Sequence, residues 1–278
     1  MRWVARVRRW LLMVAALPGL LASGAAQAWN GHALCTWQAL QPLAELAPLR
    51  VRAESLESFL AAQAAPLERV LARRAFASGH DYWGWRFAGW AMHYVQDLTQ
   101  PFHASILPGV GAARMVGINV AAMAGWQRPK SEAITLVSNR HEVVESYQYQ
   151  RMARAYQEQR MDDAMLAALR DGSQDREHWQ YRLADTRAMV SREAFDAAQA
   201  LDAQLEKSFP ARYTADPAVE LRSETDKLDM VALARQHSGP EHVLLERQVA
   251  ALLKRLGLHT RSLVRELLGP TATPPPRP

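Results

Sequence analysis

Two histidines and an aspartate are packed into one short segment, His93-Tyr94-Val95-Gln96-Asp97-Leu98-Thr99-Gln100-Pro101-Phe102-His103. Residues four apart on a helix share a face, so His93 and Asp97 are expected to point into one pocket. Pro101 lacks an amide proton and disfavours helix in the residue before it, so the chain should bend there. His103 can then return to the same region from a different direction. His141 and Glu145 repeat the spacing within Asn139-Arg140-His141-Glu142-Val143-Val144-Glu145. Imidazole nitrogen and carboxylate oxygen are the ligands zinc takes where cysteine is absent, and a catalytic zinc needs only three of them plus water. A single His-x-x-x-acid pair is the everyday pattern of a surface ion pair. Two such pairs and a proline-bounded third histidine point instead to a metal.

Helices must position these groups. Glycine is sparse, no stretch alternates apolar and polar residues long enough for a sheet, and helical periodicity runs nearly throughout. The pattern predicts helices over about 31–46, 56–76, 82–99, 131–160, 161–170, 174–208 and 228–268, in a single all-α bundle. Asp81 suits the N-cap of the third, because a short side-chain oxygen can accept from the free first-turn amides. His80 and His237 read as ordinary turn residues, before that cap and before Gly239. Residues 270–278 form a proline-rich tail expected to be disordered. Residues 106–126 are almost wholly apolar, interrupted by Arg114, Asn119 and four glycines. A buried helix with loose ends, a lid or membrane-touching loop beside a site, and a membrane span are the readings open for it.

The sequence pI of 9.6 suggests a nucleic-acid binder until the charge is located. Arg2, Arg6, Arg8 and Arg9 carry four of the five net positive charges. Residues 29–278 hold 29 Lys+Arg against 28 Asp+Glu. Stable nucleic-acid binding is therefore not expected. One cysteine excludes a disulfide framework and a Cys-rich zinc module, and Cys35 reads as a small buried apolar residue on the first helix.

The four arginines precede an apolar run over residues 10–22 and then Ala26-Gln27-Ala28, the layout of a secretory signal peptide. The run reaches only about two-thirds of the roughly 20 residues that span a bilayer. Cleavage after Ala28 would send the chain to the periplasm or outside the cell with Trp29 first; an uncleaved anchor and twin-arginine export are the alternatives.

With these motifs in hand, the sequence resembles the zinc-dependent phospholipase C family, distantly related to the single-strand-specific zinc nucleases. Members begin the mature chain with tryptophan and carry His-Tyr-x-x-Asp-x-x-x-Pro-x-His-Ala, matched here from His93 to Ala104, and a second His-x-x-x-Glu pair, matched by His141 and Glu145. The likeness covers residues 29–147. It implies an all-α domain over 29–269 holding up to three zinc ions, two of them more clearly supplied than the third. Trp29 (through its amine and carbonyl) and His32 would bind one, with Asp97 bridging to a second. His93 would share that second ion, and His103, His141 and Glu145 would hold another.

The resemblance further implies a phosphodiesterase that hydrolyses a phospholipid with hydroxide generated from zinc-bound water; a monomer is expected, with transient membrane-surface contact as one reading of the apolar segment 106–126. The sequence departs from the family between His32 and His93, where the family's Asp and His ligands have no counterpart. Glu54 or Glu57 is the candidate substitute and general base. Two other readings stay open: a single-strand nuclease or nucleotidase on the same scaffold, and a degenerate member that binds metal without catalysis.

Overall fold

The computed structural model describes residues 35, 36, 38, 39, 68–176 and 186–268, all within the compact unit Gly31–Pro278. Among them every regular element is a helix: α1 (Glu68–Ala77), α2 (Asp81–Leu98), α3 (Pro101–Ala104), α4 (Ala112–Met123), α5 (Arg128–Gln157), α6 (Ala164–Arg170), α7 (Arg192–Ser208), α8 (Ala211–Thr214), α9 (Met230–Ser238) and α10 (Glu241–Leu268). A π-helical turn, Thr186–Ser191, leads into α7, and 3₁₀ turns occupy Leu221–Ser223 and Thr225–Lys227. The all-α expectation therefore holds for the described residues. The expected leader over 1–28, the expected tail over 270–278, Trp29, His32, Glu54 and Glu57 lie outside them. Cys35 is helical and fully buried, and that burial pushes its thiol pKa up.

Several boundaries differ from the sequence reading, each for a local reason. His80, not Asp81, occupies the cap position of α2, without a side-chain cap bond; Asp81 is the first helical residue, where a carboxylate faces the positive end of the helix dipole. Asp163 accepts from the Met165 amide at 3.0 Å, so α6 starts at Ala164 and not at 161. Residues 171–176 are turn and coil, so no helix begins at 174. The single helix expected over 228–268 is two, because Gly239 takes a φ of 49° and Pro240 cannot continue the ladder. Residues 106–126 fold as α4 with a turn on each side, and only Ile118 of that helix is buried. No described helix is long and apolar enough to cross a membrane.

The core that fixes α2 is apolar. Ala88, Ala91, Met92 and Val95 form one stripe, packed with Leu263, Val264 and Leu267 of α10, Ala72 of α1 and Val190. Each large aliphatic side chain buried here is worth about 1.5–3 kcal/mol. With that stripe fixed, the 100° helical step turns His93 and Asp97 to the opposite side of α2. Deeper in the bundle, α10 is fastened to α6 by Arg261, which is wholly buried. Its Nε lies 3.0 and 2.9 Å from the two Asp175 oxygens, and its Nη1 donates to the Leu169 carbonyl at 2.7 Å and the Ala39 carbonyl at 3.2 Å. Gly257 lets the two helices meet, since a Cβ there would run into the Leu169 carbonyl.

Candidate metal centre

Three elements bring five of the sequence-selected side chains together. His93 and Asp97 come from α2, His103 from α3, and His141 and Glu145 from α5. The corner between α2 and α3 forms at the expected place. Thr99 donates its hydroxyl back to the Gln96 carbonyl at 2.6 Å, and Pro101 opens the next turn. Gln148 of α5 donates to the Gln100 Oε1 at 3.4 Å, both side chains being buried, which ties the corner to α5.

On α5 the residues beside the site are locked. Asn139 donates to the Val219 carbonyl at 2.7 Å and accepts from the Leu221 amide at 3.0 Å. Arg140 donates to the Thr214 carbonyl at 2.7 Å, to Asp202 at 2.6 Å and to Glu206. His141 is thus held on a helix whose rotation is set by its buried neighbours. Phe102 adds a second restraint, its ring lying parallel to His141 within 5° and 5.7 Å away between centroids.

The resulting donor set is close-knit. Ligand atoms of His103, His141 and Glu145 all lie within 4.8 Å of one another. His141 Nε2 is 2.9 Å from Glu145 Oε1, His103 Nε2 is 3.3 Å from the same oxygen, and the two Nε2 atoms are 3.2 Å apart. Asp97 divides its oxygens: Oδ2 sits 3.2 Å from His93 Nε2, and Oδ1 sits 4.0 Å from His103 Nε2. The cluster is open on one side, with the His103 and His141 side chains 30% and 28% exposed.

Its electrostatics favour a cation. Burial on its own would raise the Glu145 carboxyl, but the hydrogen bonds and charges of His103 and His141 overcome it and hold the pKa at about 2. Burial would lower the His103 imidazole; the Glu145 hydrogen bond and the Asp97 and Glu145 charges outweigh it and raise the pKa. Two imidazole nitrogens facing each other across 3.2 Å can share one proton but cannot both carry one without repulsion. With both rings neutral, Asp97 and Glu145 leave two negative charges among nitrogen and oxygen donors, which suits a divalent ion.

The sequence did not single out the supporting residues. Phe102 was marked only by its place between Pro101 and His103, and the Gln100–Gln148 and Arg140–Asp202 pairs join positions 48 and 62 apart, with no local signal. His80 stands in the turn before α2 as expected, whereas His237, expected in a turn, is helical because α9 runs on to Ser238. His80 Nδ1 is 3.1 Å from the Ser78 hydroxyl, and His237 is in the last turn of α9. Comparison of the chain with family models, with curated proteins and with solved structures gives no match.

Proposed function

We propose that this chain is an exported, zinc-dependent phosphodiesterase of the phospholipase C type, released by cleavage after Ala28. The observation that carries the reading is the convergence of His103, His141 and Glu145 within 4.8 Å from two separate elements, with Asp97 alongside. His103, His141 and Glu145 would hold one ion. Asp97 turns one oxygen to His93 and the other towards His103, so it would add carboxylate charge beside both. The nitrogen and oxygen donors, the missing cysteine and the net negative charge of the cluster all fit zinc.

His103, His141 and Glu145 would hold the ion, and zinc held there would supply hydroxide at neutral pH and positive charge for the phosphoryl oxygens. The chain's own groups prepare for this. Glu145 is ionised at any physiological pH, so it offers charge without first losing a proton. The Glu145 hydrogen bond and the Asp97 and Glu145 charges raise the His103 pKa, so a metal there would compete with a proton for this imidazole more than at an ordinary histidine. Phe102 lies parallel to His141 with ring centroids 5.7 Å apart and restrains the imidazole plane. A phosphodiester would approach from the side on which His103 and His141 are exposed.

The near-neutral charge of residues 29–278 favours a lipid or other small phosphodiester over a nucleic acid. The test is metal content by mass spectrometry together with turnover of a phosphorylcholine ester and of single-stranded DNA. The wild type should retain zinc and hydrolyse the choline ester. His141→Ala and Glu145→Gln should lose metal and reduce turnover by at least about a hundredfold, the upper range for disturbing even an outer-shell partner. Unchanged zinc content and turnover in both variants would sink the assignment. Zinc retained without hydrolysis of either substrate would leave a metal-binding protein that is not an enzyme, and faster DNA cleavage would make it a nuclease.

A further inference from the structure

The segment between the site and α5 has an unusual surface. From Leu98 to Ser131 the chain contains no acid, while Arg114, Arg128 and Lys130 supply three positive charges. Within it, α4 presses Ile118 inward. The helical step then places Val116, Val120 and Met123 together on the opposite face, where all three are exposed. Met123 is 88% exposed, Trp126 just beyond it 75%, and Ile106 before it 85%. Large apolar side chains gathered this way mark an interaction site more often than an idle surface.

Three features choose among partners. Twelve residues give a helix of about 18 Å, too short to cross a bilayer and suited to lying along one. A tryptophan flanked by cations matches the boundary between headgroups and acyl chains, where an amphipathic ring and a basic side chain are both satisfied. The charge of the segment complements lipid phosphates. Arg128, 88% exposed, is paired with the half-buried Glu132 at 2.7 Å, and such a surface pair is weak enough to exchange for a phosphate.

We infer that α4 and its flanking turns dock on an anionic lipid surface, with Ile106, Val116, Val120, Met123 and Trp126 entering the headgroup layer and the exposed Arg128 meeting phosphates. The placement bears on the metal centre. Ile106 follows His103 by three residues. Exposed Ile134 precedes His141 by seven on the same face of α5, about 10 Å along the axis. A docked α4 is joined at both ends to ligand-bearing elements, α3 before it and α5 after it. The inference rests on the surface and does not require the cluster to be catalytic.

The test reads the local environment of α4 in the full chain. Met123→Cys is labelled with an environment-sensitive fluorophore, Cys35 being buried, and titrated with phosphatidylglycerol–phosphatidylcholine vesicles and with phosphatidylcholine alone. Emission should shift to the blue with the anionic vesicles, weaken in high salt, and stay constant for a label at Glu158→Cys on the exposed end of α5. Adding Val116→Asp and Val120→Asp should weaken the titration at least about tenfold, since charge is costly where apolar groups enter lipid. His141→Ala should leave it unchanged, so docking and metal chemistry fail separately. No spectral change at position 123, or equal affinity in the double aspartate variant, overturns the inference. So does a shift that appears without lipid and grows with protein concentration, which would make the face a contact between copies of this chain.

Discussion

Gly109 and Gly117 lie eight residues apart in one glycine-rich segment, and replacing each by alanine should shift stability in opposite directions. Gly109 has a φ of 78°, a region in which an L side chain costs about 1–2 kcal/mol. A Cβ there would stand 2.6 Å from the Asp202 Cγ, closer still to its Oδ2, and 3.1 Å from Arg140 Nη1. Either the segment lifts away or Asp202 leaves Arg140. In the second case a buried charged hydrogen bond of 2.6 Å is broken. Burial already raises the Asp202 pKa against the pull of Arg140, so without that partner the carboxyl would take up a proton more readily.

Breaking a buried pair costs about 3–5 kcal/mol; Arg140 keeps its bonds to Thr214 and Glu206, so the lower figure applies. Gly109→Ala should therefore lose between about 2 kcal/mol, if the segment moves, and about 5 kcal/mol, if the pair breaks, out of the roughly 5–15 kcal/mol of a typical domain. Gly117 lies inside α4 with nothing within 4 Å of its added Cβ, so Gly117→Ala should gain about 0.5–1 kcal/mol from helix propensity. Urea unfolding followed by circular dichroism measures both midpoints. A Gly109→Ala midpoint indistinguishable from wild type, or a Gly117→Ala loss of similar size, would refute the reasoning.

Two further outcomes concern the scaffold. Arg261→Leu should lower stability by about 3–5 kcal/mol, because Asp175 would keep only Arg265 and the carbonyls of Leu169 and Asp171 would lose their shared donor. Arg261→Lys should fall between that variant and wild type, since one ammonium cannot reproduce the fork; urea midpoints within error of wild type for both would contradict the clamp. Hydrogen bonds from Lys254 and Ser173 hold the Asp171 carboxyl well below its usual range. A depressed native pKa stabilises above the ordinary aspartate pKa of about 3.9, and that contribution is lost as pH falls through the native value. Asp171→Asn should therefore destabilise modestly at neutral pH and flatten the acid limb of a stability–pH profile. The same limb in variant and wild type would exclude a role for this contact.

Much of the centre could be read along the chain because its spacing is local. The i, i+4 geometry that joins His93 to Asp97 and His141 to Glu145 is a property of any α-helix, and Pro101 enforces the turn that returns His103 wherever the segment is placed. The all-α class follows likewise from a 3.6-residue period that no alternating stretch interrupts. The breaks at Gly239 and before Ala164 needed backbone torsions and a particular cap bond, which the periodicity alone blurred over.

The convergence of α2, α3 and α5 was beyond the sequence. It depends on an apolar stripe of α2 meeting α10 some 170 residues later, and on Arg140, Asn139 and Gln148 finding partners far away in the chain. The outward face of 106–126 was likewise undecided from composition, since apolar residues fit a core and a lipid surface equally well. Only the packing of Ile118 determined which side of α4 faces inward. Local rules set what each segment can present; the burial of distant apolar surface sets which segments present it to one another, and that contribution has no signature in any short stretch of residues.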